Sequence, residues 1–123
     1  VPVSHIDFLE YSASELSRSE PTEFQLRNAA SRAYYALYHK ARQRIEELGL
    51  TLEKPEKAGS HAATIDTISR VSPKAKSISV QMDKLKRFRH ICDYDLNSTI
   101  DKKRVELHIA EVGRMLDMLD RLQ

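Results

Sequence analysis

From Phe24 to Leu48 the chain carries apolar residues at three- and four-residue intervals without a glycine or proline, between Pro21 on one side and Gly49 on the other. A run of that length and period is a helix. At about 100° per residue, Ala30, Tyr34, Leu37, Ala41, Ile45 and Leu48 fall on one stripe, the natural core face. Thr22 can cap its start and Gly49 its end. Any fold for this chain is therefore built around one long helix.

The remaining segments read as shorter partners for it. Ser4, three residues before Asp7, can cap a first helix that runs to about Arg18 and carries Ile6, Leu9, Ala13 and Leu16 on one stripe. Residues 50–59, with Pro55 and four charged side chains, read as a surface loop. Ser60 can begin a third helix through Ala63, Ile65 and Ile68. Pro73 separates it from a fourth, which starts between Lys74 and Ser79 and runs through Tyr94. Asn97 and Ser98 form a turn, and Asp101 caps a last helix bearing Val105, Ile109, Val112, Leu116 and Leu119. The expected fold class is all-α, a bundle of about five helices with its long helices antiparallel.

At 123 residues the chain is expected to be one domain, residues 1–123, because two halves would each have a thin core. It is 41% hydrophobic with three glycines and four prolines, which argues against disorder and against a turn-rich β fold. A net charge of +2 neither requires nor excludes a nucleic-acid partner. The single cysteine, Cys92, has no internal disulfide partner and points to a reducing compartment. No apolar run reaches membrane-spanning length, and the start, with Asp7 and Glu10, lacks the basic character of a secretory signal; a cytoplasmic location without a membrane partner is the expectation. HExxH and GxxxxGK[ST] patterns are absent, so no metal and no cofactor are expected.

Two stretches carry chemistry. In Ser31-Arg32-Ala33-Tyr34-Tyr35-Ala36-Leu37-Tyr38-His39, the residues Arg32, Tyr35 and His39 project nearly opposite the core stripe at three- and four-residue offsets. They either cover a neighbouring helix or face a subunit or a phosphate, and the small Ala33 and Ala36 beside them permit close approach. On the fourth helix Ile78, Met82, Leu85, Cys92 and Leu96 share a stripe with Arg89 near its middle. Asp93 stands one turn on, either as a structural ion-pair partner or as a support that aims Arg89 at phosphate. His90 and Tyr94 lie on another side, beside Lys84, Lys86 and Arg87. A histidine near cations suits metal-independent RNA cleavage, in which a 2′-hydroxyl attacks the adjacent phosphate. The same basic run equally reads as a solvated face. His61 reads as a polar residue at a helix start, and His5 and His108 as isolated.

Together, the Ser31–His39 stretch, the loop ending in Ser60-His61, and Leu85-Lys86-Arg87-Phe88-Arg89-His90-Ile91-Cys92-Asp93-Tyr94 resemble the HEPN superfamily, from about residue 5 to 120. The branch it is most similar to comprises small prokaryotic proteins with a tyrosine-rich second helix and a late Arg-x-x-Ala-Asp-Tyr element, here with Cys92 in the alanine position. The resemblance implies a helical, commonly dimeric protein of a toxin–antitoxin or defence system, acting on RNA and paired in many cases with a minimal nucleotidyltransferase as antitoxin. Arg89 corresponds to the arginine of the nuclease signature. Tyr94 stands where the signature histidine is expected, and His90 directly follows the arginine. Three readings follow. The first is an endoribonuclease using Arg89 with His90, Tyr94 or a partner helix's His39, with Asp93 in support and Arg32, Tyr35, Lys86 and Arg87 holding substrate. The second is a non-catalytic binder of RNA, nucleotide or the nucleotidyltransferase, and the third an assembly module with a structural Arg89–Asp93 pair.

Overall fold

A computed structural model describes residues 2–52 and 59–123, and five α-helices account for its regular structure: α1 His5–Leu16, α2 Glu23–Glu47, α3 Ser60–Ser69, α4 Ala75–Tyr94 and α5 Lys102–Asp120. The all-α bundle is thus as the periodicity requires. Of the expected loop over 50–59, Pro55 and its four charged neighbours lie outside the described residues.

The helix ends follow from local chemistry. Ser4 and Asp7 form a reciprocal capping box at α1, and Thr22 with Gln25 forms another at α2. Asp101 accepts from the Arg104 N–H at the start of α5, 2.8 Å away. At the other end of α2, Gly49 adopts φ +70°, its N–H donates to the Glu46 carbonyl, and the Leu50 N–H reaches back to the Ile45 carbonyl. This pair of bonds is the Schellman arrangement, which needs a left-handed residue that glycine adopts without a side-chain clash.

α2 is the axis of the molecule, and α1, α3, α4 and α5 all pack on it. Residue pairings give their directions. Asn28 meets Tyr11 and His39 meets Phe8, so α1 runs antiparallel to α2. Arg27 meets Cys92 while Tyr34 meets Arg89, so α4 is antiparallel as well. α5 differs. Ala30 meets His108 and Lys40 meets Asp120, which makes α5 parallel to α2. The expectation of antiparallel long helices therefore holds for α2 with α4 but not for α2 with α5, because the short turn at 95–101 reverses α5 against α4.

The α1 stripe holds only in part: Leu9 and Leu16 pack against the core, but Ile6 and Ala13 do not. Ile6 is 52% exposed and Ala13 is also exposed, whereas Ser12 and Glu15 are buried. The buried face of α1 is shifted toward polar groups that supply their own partners: Ser12 Oγ donates to the Phe8 carbonyl and Glu15 accepts from Arg18. A small residue at 12 also lets α1 lie close to α2. On α4 the apolar stripe is buried through Cys92, but Leu96 lies past the helix end and is 78% exposed. Ala33 and Ala36 are wholly buried, so the close approach they permit is made by the chain's own helices.

Two arginines of α2 close the ends of its neighbours. Arg27, almost fully buried, donates to the carbonyls of Ile91, Cys92 and Ser98, and Arg44 donates to those of Leu119 and Leu122. The last carbonyls of a helix lack intrahelical donors, and a guanidinium satisfies several at once. The α4 and α5 termini are thereby tied to α2, which sets the height of Arg89 against the tyrosines.

Candidate functional site

Tyr34, Tyr35 and Tyr38 leave α2 toward the junction with α3 and α4. Tyr34 is wholly buried, Tyr38 nearly so and Tyr35 half-buried. From α4 the Arg89 guanidinium lies over the Tyr34 ring at 5.3 Å and the Tyr35 ring at 5.6 Å. Cations at that range are attracted to the ring face. Arg89 Nη1 donates to Asp93 Oδ2 at 3.3 Å, and Ser31 Oγ donates to the same oxygen at 3.1 Å. Asp93 thus pins Arg89 and joins α4 to α2. The Arg89 residue is 8% exposed, and its Nε is buried with no partner among the described residues.

α3 delivers His61 to the same tyrosines. Its ring lies 4.2 Å from Tyr38, 5.5 Å from Tyr34 and 5.6 Å from Tyr35, centroid to centroid. Its Nδ1 is 2.9 Å from the Tyr34 hydroxyl. Arg32 covers Tyr35 at 4.8 Å, and Arg42 donates to the Tyr38 hydroxyl at 2.8 Å. His39 sits at the outer edge, 5.4 Å from the Tyr38 ring and 5.0 Å from Phe8. The cluster is therefore sealed at its Tyr34–Arg89–Asp93 end and open at His39, which is exposed.

Positive charge dominates here. Burial, then Arg89, Lys86, His39 and Arg42, hold His61 below the ordinary imidazole value; burial, then Arg42 and Arg32, do the same to His39. Both rings are consequently neutral near pH 7. Burial pushes the Tyr34 phenol far above its usual range despite Arg89. Burial also raises the Tyr38 phenol, but hydrogen bonds with Ser60, Arg42 and Thr64 and the Arg42 charge outweigh it, and that phenol falls below its ordinary value.

Of the residues singled out by sequence, Arg32, Tyr35, His39, Arg89 and Asp93 belong to this one assembly, with Lys86 near enough to act on His61. His90 and Tyr94 do not. They stack on each other at 4.6 Å on the solvent side of α4, where Tyr94 is 64% exposed. Arg87 points to solvent and pairs with Asp83, as does Lys86 at 3.6 Å. His61 is the residue that sequence reasoning passed over. Its pairing with Tyr34 spans 27 positions and has no local period. The Cys92 thiol, buried and pushed up to about 11, is inert in this setting. Among the described residues no group of three or more His, Cys, Asp or Glu is placed to hold a metal ion, and no helix is long and apolar enough to cross a membrane.

Compared with protein families, curated proteins and solved structures, the chain matches none.

Proposed function

We propose that the chain is a HEPN-type toxin or defence protein that binds RNA at the Arg89–tyrosine–His61 cluster and cleaves it without a metal ion. The observation that carries this reading is the seating of a buried arginine and a neutral histidine on the same tyrosine rings. The half-buried Tyr35 ring offers a face on which a base can stack, and the surrounding cations attract the phosphodiester. In the proposed step the 2′-oxygen bonds to phosphorus and its proton passes to neutral His39. The bond from phosphorus to the 5′-oxygen breaks, and that oxygen takes a proton from water. Arg89 stabilises the charge on the phosphoryl oxygens. A second subunit would complete the open side near His39, and a minimal nucleotidyltransferase is the partner that the HEPN reading brings with it.

One observation favours a second reading. Arg89 is held by Asp93 and nearly buried, as a structural ion pair would be, and in that case the chain is an assembly module. Cleavage of RNA by pure protein in the presence of chelator, with Arg89→Ala, His61→Ala and His39→Ala, separates the two. The expected loss in the His39 variant is about 100-fold or more. Cleavage undiminished in all three variants rejects the site. Binding without cleavage leaves a non-catalytic RNA binder, and no binding, with Arg89→Met clearly less stable than the wild type because Asp93 loses its partner, leaves the assembly module.

A further inference from the structure

The Tyr34 hydroxyl is wholly buried, and His61 Nδ1 is its hydrogen-bond partner at 2.9 Å. Two arrangements are conceivable: the phenol donates to a bare Nδ1, or an Nδ1–H donates to the phenol oxygen. In the second the Tyr34 O–H would have no acceptor, and leaving a buried hydroxyl donor unmade costs about 1–3 kcal/mol. The phenol stays protonated, because burial holds its ionisation far above the usual range. Nδ1 is therefore the acceptor, and in a neutral ring the proton sits on Nε2.

That nitrogen has no hydrogen-bond partner among the described residues, and His61 is only half-buried. The groups facing the ring from α2 are Tyr34, Tyr35, Tyr38, His39 and Arg42, and from α4 they are Arg89 and Lys86. The α4 carboxylates Asp93 and Asp83 are already engaged, the first by Arg89 and Ser31 and the second by Lys86 and Arg87. Arg89, with its side chain 10% exposed and its Nε buried without an acceptor among the described residues, adds its charge to this corner. Among the described residues the site thus offers donors and positive charge with no free carboxylate facing the ring.

We propose that this corner is a phosphoryl-oxygen site in which neutral His61, at the open side of the cluster, serves as an Nε2–H donor within the positive field of Arg89, Lys86 and Arg42, with Tyr34 as the positioning residue that dictates the tautomer. The inference rests on the RNA reading for the identity of the phosphate, and it assigns His61 a role opposite to that of a general base. A base must offer a lone pair to substrate, whereas this ring offers a proton-bearing nitrogen. Anion binding there also offsets the Arg89 and Lys86 charges that, after burial, hold the ring neutral, so a bound phosphate raises the pH at which His61 titrates.

The test is nitrogen-15 NMR of the histidine rings of the full chain, titrated with inorganic phosphate against chloride at constant ionic strength. The wild type is expected to show His61 as the Nε2–H tautomer, with ring signals that move saturably with phosphate and a titration midpoint that moves up. Tyr34→Phe is expected to lose the tautomer bias, and Arg89→Gln to weaken phosphate binding roughly tenfold or more. An Nδ1–H tautomer in the wild type, or His61 signals indifferent to phosphate, overturns the proposal whether or not any variant folds. RNA left uncut by a protein that gives the expected NMR result removes the cleavage reading and leaves the anion site standing.

Discussion

His108 shows how a single buried group couples the fold to pH. Its residue exposure is 5%, its Nε2 lies 3.0 Å from the Ala30 carbonyl oxygen, and Phe88 packs 4.8 Å away. A carbonyl only accepts, so Nε2 carries the proton and the buried Nδ1 is bare. Burial lowers the imidazole from 6.5 to about 4, against the bond to Ala30 and with help from Arg104. The folded value is below the unfolded one, so this contribution to stability is full above about pH 6.5 and is lost as the pH falls toward and through 4. Between pH 7 and pH 4 the loss is on the order of 3 kcal/mol. Urea unfolding at the two pH values should show the wild type losing that much more than His108→Gln, whose amide can keep the bond to Ala30. Equal losses would assign the acid sensitivity to other groups. Read as an isolated histidine in sequence, His108 has no local signal of burial beyond its spacing three residues from Val105 and four from Val112.

At the scale of the helices, two glycines make opposite predictions from the same kind of geometry. Gly49 sits at φ +70° with no heavy atom within 4 Å of where a Cβ would stand, so Gly49→Ala should cost about 1 kcal/mol through the backbone alone. Gly113 lies inside α5 with equally open space and no positive φ. There, Gly113→Ala should stabilise by about 0.5–1 kcal/mol, since alanine restricts the unfolded chain and suits a helix. Urea midpoints for both variants check the pair. A destabilised Gly113→Ala protein would mean that a second surface packs against α5 and would overturn the open-face description. The C-terminal signal of α2 was legible because glycine after a periodic run has one common use. The buried face of α1 was legible only in part: Leu9 and Leu16 pack inward as apolarity requires, but the self-satisfied Ser12 and Glu15 are buried beside them and Ile6 is left exposed.

For the molecule as a whole, function depends on where charge is left unmatched. The formal charge is only +2, yet Arg32, Arg42 and Arg89 gather on the tyrosines of α2. If these three make the phosphate contacts, single-stranded RNA affinity should fall with salt at a log–log slope of about −2, from roughly −0.7 per contact. Fluorescence anisotropy across a salt series measures it, and a slope near zero would exclude this electrostatic footprint. The helices, their caps and the long axis of α2 were determined by the sequence alone, because periodicity and capping act over three or four residues. Which face of α2 is covered was decided by tertiary packing. Arg32 and Tyr35, read as one outward face, turned out half-covered by the chain's own α1, α3 and α4, while exposed His39 marks its open edge. The site belongs to the same level: His61 reaches Tyr34, and Arg89 lies over the same ring, only because three helices converge there, and contacts across so many positions leave no period in the chain.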